Sequence, residues 1–253
     1  MRVGTFLIAC TALFAARVAA AQITPLFVIP TESRLTEAIP DNSPLRVSLT
    51  SHDAASLANK LGVKAVGSAD SFEYIIGPYP QLSAANERTW LEATFMIDFD
   101  QPEFAGVRTE LAELGPQPTR AQLSAFVNHT IDESVQRGWD FASTIAKKRQ
   151  GDCSEHAVFT AALARMYGIP ARVVVGVALV ANGKDYGAYG HAWTEMLENG
   201  KWVVADASLL EVAPNARYLP IGLVEDEGMG FKMALAELSS QWIERLVVLG
   251  PAK

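Results

Sequence analysis

Residues 151–172 have the sequence GDCSEHAVFTAALARMYGIPAR. Asp152 stands where a side-chain oxygen can cap the first turn of a helix. The alanine-rich segment that follows has apolar residues at helical spacing, and Gly168 is typical of the residue just after a helix C-terminus. The pattern predicts a helix over residues 153–167, with Cys153 in its first turn.

This position is chemically significant for Cys153. Backbone N–H groups in the first turn of a helix have no partner inside the helix. Together with the positive end of the helix dipole, they stabilise a thiolate. The same groups are suited to holding an oxyanion on an attacked carbonyl. Composition alone favours a small buried hydrophobic role for a lone cysteine, but the helix-start position favours a nucleophile.

The first 21 residues decide how many thiols the exported protein is expected to have. Residues 1–21 combine a short basic start, an apolar stretch too short to span a bilayer, and a run of alanines that ends at Ala21. This pattern is typical of a secretory signal peptide, with an uncleaved membrane anchor as the alternative. The stretch before Cys10 also resembles a lipoprotein cleavage box, although this cysteine follows too few apolar residues. We therefore expect a periplasmic or secreted protein in which Cys153 is the one remaining thiol and no internal disulfide forms.

A hairpin is predicted further along the chain. Residues 191–197 and 201–207 have the composition of strands, and they flank Asn199–Gly200, a dipeptide that favours a two-residue type I′ turn. With this turn, His191 and Asp206 point to the same face of the sheet as diagonal neighbours, about 7–8 Å apart between backbones. A four-residue loop keeps this register, whereas a three-residue loop would destroy it.

Cys153, His191 and Asp206 together predict a nucleophilic site. The imidazole of His191 would take the thiol proton and later protonate the leaving group. The carboxylate of Asp206 would orient the ring and stabilise the imidazolium.

Four blocks of the sequence resemble the bacterial transglutaminase-like family. The resemblance covers about residues 120–210 and implies an α+β, papain-like core, in which a helix carrying Cys153 packs on an antiparallel sheet carrying His191 and Asp206. It also implies that these three residues are catalytic. The one local departure, Ala-Asp-Ala-Ser at 205–208 where many relatives have Asp-Pro or Asp-Ala-Thr, keeps the carboxylate. The blocks are Gly151–Ala157 (GDCSEHA), Tyr167–Arg172 (YGIPAR), Gly190–Glu195 (GHAWTE) and Trp202–Ser208 (WVVADAS).

The resemblance leaves the reaction open. It implies a cysteine-dependent acyl-transfer enzyme acting on amide bonds through a thioester, as a peptidase, amidase, deamidase or crosslinker. The alternative is a catalytically silent binding or assembly module of the cell envelope. A protein or peptide substrate is expected, and the sequence does not indicate an oligomeric state.

The chain is expected to have three parts: a signal peptide (1–21), a small β-rich N-terminal region (22–115) and a transglutaminase-like catalytic domain (116–253). The remaining predicted elements are helices over 54–61, 121–136 and 141–148, strands over 72–76, 90–99, 172–181 and 216–224, and a helix or helix plus strand over 229–249.

Several function classes are not favoured. A net charge of −7 argues against nucleic-acid binding, which needs a basic face. No apolar run after residue 22 is long enough for stable membrane insertion. No zinc, calcium or phosphate-binding motif occurs, so no metal or cofactor is expected. His156, one helical turn after Cys153, is interpreted as a supporting or packing residue. Trp139 is interpreted as a packing residue, with a flank of the substrate channel or a donor to the oxyanion as alternatives.

Overall fold

The protein was analysed as a computed structural model that describes residues 27–41, 43–63, 70–77, 90–134, 139–224 and 243–252. The predicted signal peptide lies outside these residues, as does most of the segment predicted to be helical after residue 229. The described elements are β1 (Val28–Ile29), β2 (Thr31–Ser33), β3 (Leu45–Ser51), α1 (Ala54–Lys60), β4 (Ser71–Ile76), α2 (Phe104–Leu111), α3 (Arg120–Thr130), β5 (Asp132–Glu133), α4 (Ala142–Lys148), β6 (Gln150–Gly151), α5 (Cys153–Met166), β7 (Ala171–Asn182), β8 (Asp185–Glu198), β9 (Lys201–Ala205), β10 (Arg217–Leu223) and β11 (Ile243–Pro251).

The main sheet is built around the long hairpin of β7 and β8. Its strand order is β1-β8-β7-β10, and β9 pairs with the C-terminal part of β8. β7, β10 and β9 each run antiparallel to their neighbour in this sheet. The near-continuous apolar sequence of β7 is buried along most of its length, as expected for a strand with both faces covered.

Helix α5 packs against β7 and β8 and forms the centre of the core. Every residue from Cys153 to Arg165 is buried, including the polar ones. The hydroxyl of Thr194 on β8 donates to the carbonyl of Ala157 on α5 at 2.6 Å, which fixes the helix against the strand. The predicted α+β class, with a cysteine-bearing helix on an antiparallel sheet, is therefore confirmed.

A second sheet has the strand order β2-β11-β3-β4. It joins strands from the first third of the chain to β11 at its end, with β11 parallel to β2 and antiparallel to β3. β1 instead pairs with β8 of the main sheet. Strands on both sides of residue 115 thus share sheets and hydrogen bonds.

Two predicted elements differ from the structure. Residues 90–99 are irregular rather than a strand, because this segment is hydrogen-bonded to the first turn of α4. The carbonyl of Met96 accepts the N–H of Ala142 at 2.8 Å, and Asp98 accepts the N–H and hydroxyl of Ser143. The helix predicted over 121–136 ends at Thr130, since the next residues form β5 and pair with β6 just before Cys153. Helix α2 was not predicted.

A fully buried ion pair joins β7 to β8. The guanidinium of Arg172 contacts Oε2 of Glu195 through Nε at 2.8 Å and Nη2 at 2.6 Å, and neither side chain is exposed. The indole N–H of Trp193 donates to the other carboxylate oxygen at 3.3 Å, and the guanidinium lies 4.2 Å from the ring centroid of Trp202. Breaking such a pair leaves a buried charge without its counterion.

We expect Glu195→Ala to lower the free energy of unfolding by about 3–5 kcal/mol, measured by urea denaturation. Glu198→Ala is the matched control on the same strand, because its partly exposed ion pair with Arg120 contributes about 0–1 kcal/mol. Equal losses in the two variants would contradict the assigned importance of the buried pair.

Candidate active site

The structure brings together the three residues predicted to form the site. Cys153 is the first residue of α5, His191 lies on β8, and Asp206 directly follows β9. His191 Nε2 lies 2.6 Å from Asp206 Oδ2. The thiol of Cys153 acts on the same imidazole and raises its pKa. Since Asp206 occupies Nε2, Nδ1 is the ring nitrogen left for the thiol.

The hairpin register predicted for this pair is observed. Glu198 pairs with Lys201, and the ladder continues to Thr194 and Ala205. Asn199 and Gly200 have φ values of 52° and 74°, the left-handed backbone that a type I′ turn requires at both central positions. β9 ends one residue before Asp206, so the carboxylate reaches the imidazole from just beyond the strand.

The Asp206 carboxylate is held by four contacts. Oδ1 accepts the backbone N–H groups of Ser208 at 3.0 Å and Leu209 at 3.1 Å, a local turn that explains why the strand ends at Ala205. Oδ2 accepts from His191 and from the hydroxyl of Tyr218 at 2.9 Å. Burial alone would raise the pKa of Asp206, but the charge and hydrogen bond of His191 outweigh it and lower the pKa.

His191 is held as a cation. Burial alone would lower its pKa, but the charges of Asp206 and Cys153 outweigh this effect and raise the pKa to about 10. The indole of Trp193 stacks on the ring with 6.3 Å between centroids and 18° between planes. An imidazolium between a carboxylate and a thiol is the arrangement that stabilises a thiolate.

Glu155 fixes the backbone at the start of α5. Its Oε2 accepts the N–H of Asp152 at 3.0 Å, while Asp152 Oδ1 accepts the N–H of Ser154 at 2.9 Å, which completes a capping box. Its Oε1 accepts the N–H of Asp140 at 3.1 Å. The Ser154 amide is therefore engaged by the predicted cap, Asp152.

His156 lies beside this site without joining the Cys153–His191–Asp206 cluster. Its Nδ1 is 2.8 Å from the carbonyl oxygen of Asp152. Burial lowers the pKa of His156, which favours a neutral ring that takes part in backbone hydrogen bonding. Among the described residues, no group of three His, Cys, Asp or Glu side chains is placed to hold a metal ion.

A cavity of about 260 Å³ borders the carboxylate end of the cluster. Asp206 and Tyr218 line it together with Ser124 and Arg217, but Cys153 and His191 do not. Cys153 and His191 are each only 2% exposed.

Within the part of the chain that the structure describes, no helix is both long and apolar enough to cross a membrane.

This fold and this placement of a cysteine at a helix start, opposite a histidine on an antiparallel sheet, define the papain-like class. Residues 110–207 match the family model described as the Transglutaminase-like superfamily. This matched segment, which carries Cys153, His191 and Asp206, is similar to the transglutaminase-like superfamily.

Similar solved structures come from two bacteria. A Cytophaga hutchinsonii protein described as a "putative cysteine protease" shares 16% identity at a TM-score of 0.45, over 72% of this chain and 60% of that one. The periplasmic domain of TgpA from Pseudomonas aeruginosa shares 23% identity at a TM-score of 0.38, over 56% of this chain and 55% of that one. This chain thus spans less than two thirds of either protein. No curated protein matches it.

The carboxyl group of Glu155 is expected to lower the free energy of unfolding as the pH rises towards 7. Burial raises the pKa of Glu155 from 4.5 to about 7, so the folded chain binds this proton more tightly than the unfolded chain does. The resulting stability is present below pH 4.5 and is lost as the pH rises to about 7.

We expect the melting temperature of Glu155→Gln, relative to the wild type, to increase from pH 4.5 to pH 7 and to change little above that, as measured by circular dichroism. Glutamine cannot ionise, so it avoids the cost of a buried carboxylate. Glu113→Gln, an exposed site, is the matched control. A melting-temperature difference that is independent of pH would contradict the assignment.

Proposed function

We propose that this protein is an exported cysteine-dependent enzyme that transfers acyl groups from amide bonds through a thioester. Cys153 is the nucleophile, His191 the general acid and base, and Asp206 the residue that orients the ring. The observation that carries the proposal is the 2.6 Å contact between His191 Nε2 and Asp206 Oδ2. The Cys153 thiol acts on the same ring and raises its pKa.

The chemistry follows from these contacts. The Cys153 thiolate adds to the carbonyl carbon of an amide, and the His191 imidazolium donates its proton to the departing nitrogen as the C–N bond breaks. The neutral imidazole then takes a proton from the acceptor, water or an amine, which attacks the thioester. Collapse of this adduct releases the acyl product and restores the thiolate–imidazolium pair.

The acceptor decides the outcome of the reaction. Water gives hydrolysis or deamidation, whereas a primary amine gives a crosslink. We expect a protein or peptide substrate, and the proposal of export rests on the signal-peptide pattern of residues 1–21.

A silent binding or assembly module is the second hypothesis. The electrostatics of the site support the enzyme instead. Burying a histidine–aspartate pair costs desolvation energy, and apolar residues of similar size often stabilise a fold as well or better. A module that only binds has no use for a polarised imidazole beside a thiol.

The first test is the reactivity of the thiol. For the chain that starts at Gln22, we expect iodoacetamide at pH 6 to label Cys153 at least ~10-fold faster than a free thiol, because an ordinary thiol is almost fully protonated there. His191→Ala should remove this excess rate, while His129→Ala, a change at an exposed histidine of α3, should not. Labelling no faster than that of a free thiol would refute the enzyme hypothesis.

The second test is capture of the acyl-enzyme. We expect incubation with periplasmic peptides followed by acid quench to leave a mass adduct on Cys153 that hydroxylamine removes, as a thioester requires. Cys153→Ser is the matched control and should give no such adduct. Repeating the incubation with a fluorescent primary amine then distinguishes crosslinking from hydrolysis. A reactive thiol that forms no adduct with any peptide would favour the silent module.

A further inference from the structure

The Asp206 carboxylate has a second side-chain partner that the sequence did not indicate. The hydroxyl of Tyr218 donates to Oδ2 at 2.9 Å, the same oxygen that contacts His191 Nε2. Tyr218 lies on β10, outside residues 110–207 that match the superfamily.

The sheet holds Tyr218 in place from several directions. β10 pairs with β7, with Tyr218 opposite Ala178. Its ring lies 5.0 Å from that of Trp193 and 6.4 Å from that of His191, centroid to centroid. Gly176 on β7 makes this approach possible, because a Cβ there would lie 2.8 Å from the Trp193 ring and even closer to the carbonyl of Leu219.

Tyr218 remains a hydrogen-bond donor throughout the physiological range. Burial and the neighbouring charge of Asp206 raise the pKa of Tyr218 well above its ordinary value. The hydroxyl therefore keeps its proton, and the carboxylate is the acceptor.

The two donors on Oδ2 have opposing consequences. The phenol helps to fix the plane of the carboxylate, whose Oδ1 is already held by two backbone N–H groups. It also takes up part of the negative charge that would otherwise act on the imidazolium alone. Removing the hydroxyl would leave Oδ2 to the imidazolium and strengthen that ion pair.

We propose that Tyr218 is a positioning residue of this site. Its hydroxyl orients the Asp206 carboxylate and, by donating to Oδ2, weakens the attraction between this oxygen and the His191 imidazolium. The inference deepens the proposed function and rests on it wherever turnover is concerned. The electrostatic part concerns the folded protein itself and is measurable without a substrate.

The test compares Tyr218→Phe with Tyr167→Phe. The control removes the same hydroxyl from a half-buried tyrosine that donates to the backbone carbonyl of Leu111 at 2.9 Å, away from the Cys153–His191–Asp206 cluster. The His191 ring is titrated by NMR in both full-length variants and assigned with His191→Gln. The other titratable groups that act on this ring, Cys153 and His156 on α5 and Asp206 beyond β9, are unchanged in both.

We expect Tyr218→Phe to raise the pKa of His191 by about half a unit or more, and Tyr167→Phe to leave it unchanged. With a substrate in hand, kcat of Tyr218→Phe should fall about 10-fold at nearly constant KM. A His191 titration that is the same in both variants would overturn the proposal, even if Tyr218→Phe lowers stability. A shifted titration in a protein that never forms an acyl-enzyme would support the assignment of Tyr218 and refute the proposed function instead.

Discussion

Several segments of the fold meet at the hydrogen bond between His191 and Asp206, which is 2.6 Å long and almost fully buried. A buried imidazolium is tolerable only beside an anion, and that anion must itself be satisfied. The turn after β9 supplies two N–H groups to Asp206, and β10 supplies the Tyr218 hydroxyl. Three segments, namely β8, the turn after β9, and β10, must therefore meet at the Asp206 carboxylate before the His191 ring can carry a positive charge.

The same requirement recurs elsewhere in the molecule. Arg172 and Glu195 form a buried pair on the same two central strands, and Trp193 bonds one of its oxygens. The carboxylate of Glu155 accepts two backbone N–H groups at the entry to α5. Each buried ionisable group thus fixes a piece of backbone next to the site, so a polar network and the apolar core position the helix and the hairpin together.

Much of this arrangement was predictable because it is local in the chain. The cap at Asp152 places Cys153 at a helix start, and the turn at Asn199–Gly200 sets the register that brings His191 and Asp206 to one face. Both features arise from a few adjacent residues whose backbone preferences are strong. The catalytic roles of these residues remain predictions, to be decided by the thiol and acyl-enzyme experiments.

The elements that were mispredicted are those whose partners are distant in sequence. Residues 90–99 have a partly alternating pattern, but they cap and cover α4 rather than pair with a strand. Helix α3 is shorter than its pattern indicates because β5 pairs with β6.

The helix that begins at Cys153 and the hairpin register, which puts His191 and Asp206 on one face, were predictable from a few adjacent residues because they depend on local backbone chemistry. The hydrogen bond from Tyr218 to the Asp206 carboxylate was not predictable in this way. Tyr218 reaches Asp206 through the pairing of β10 with β7, some 40 residues earlier in the chain, and no local pattern encodes a contact made by strands that are adjacent only after folding.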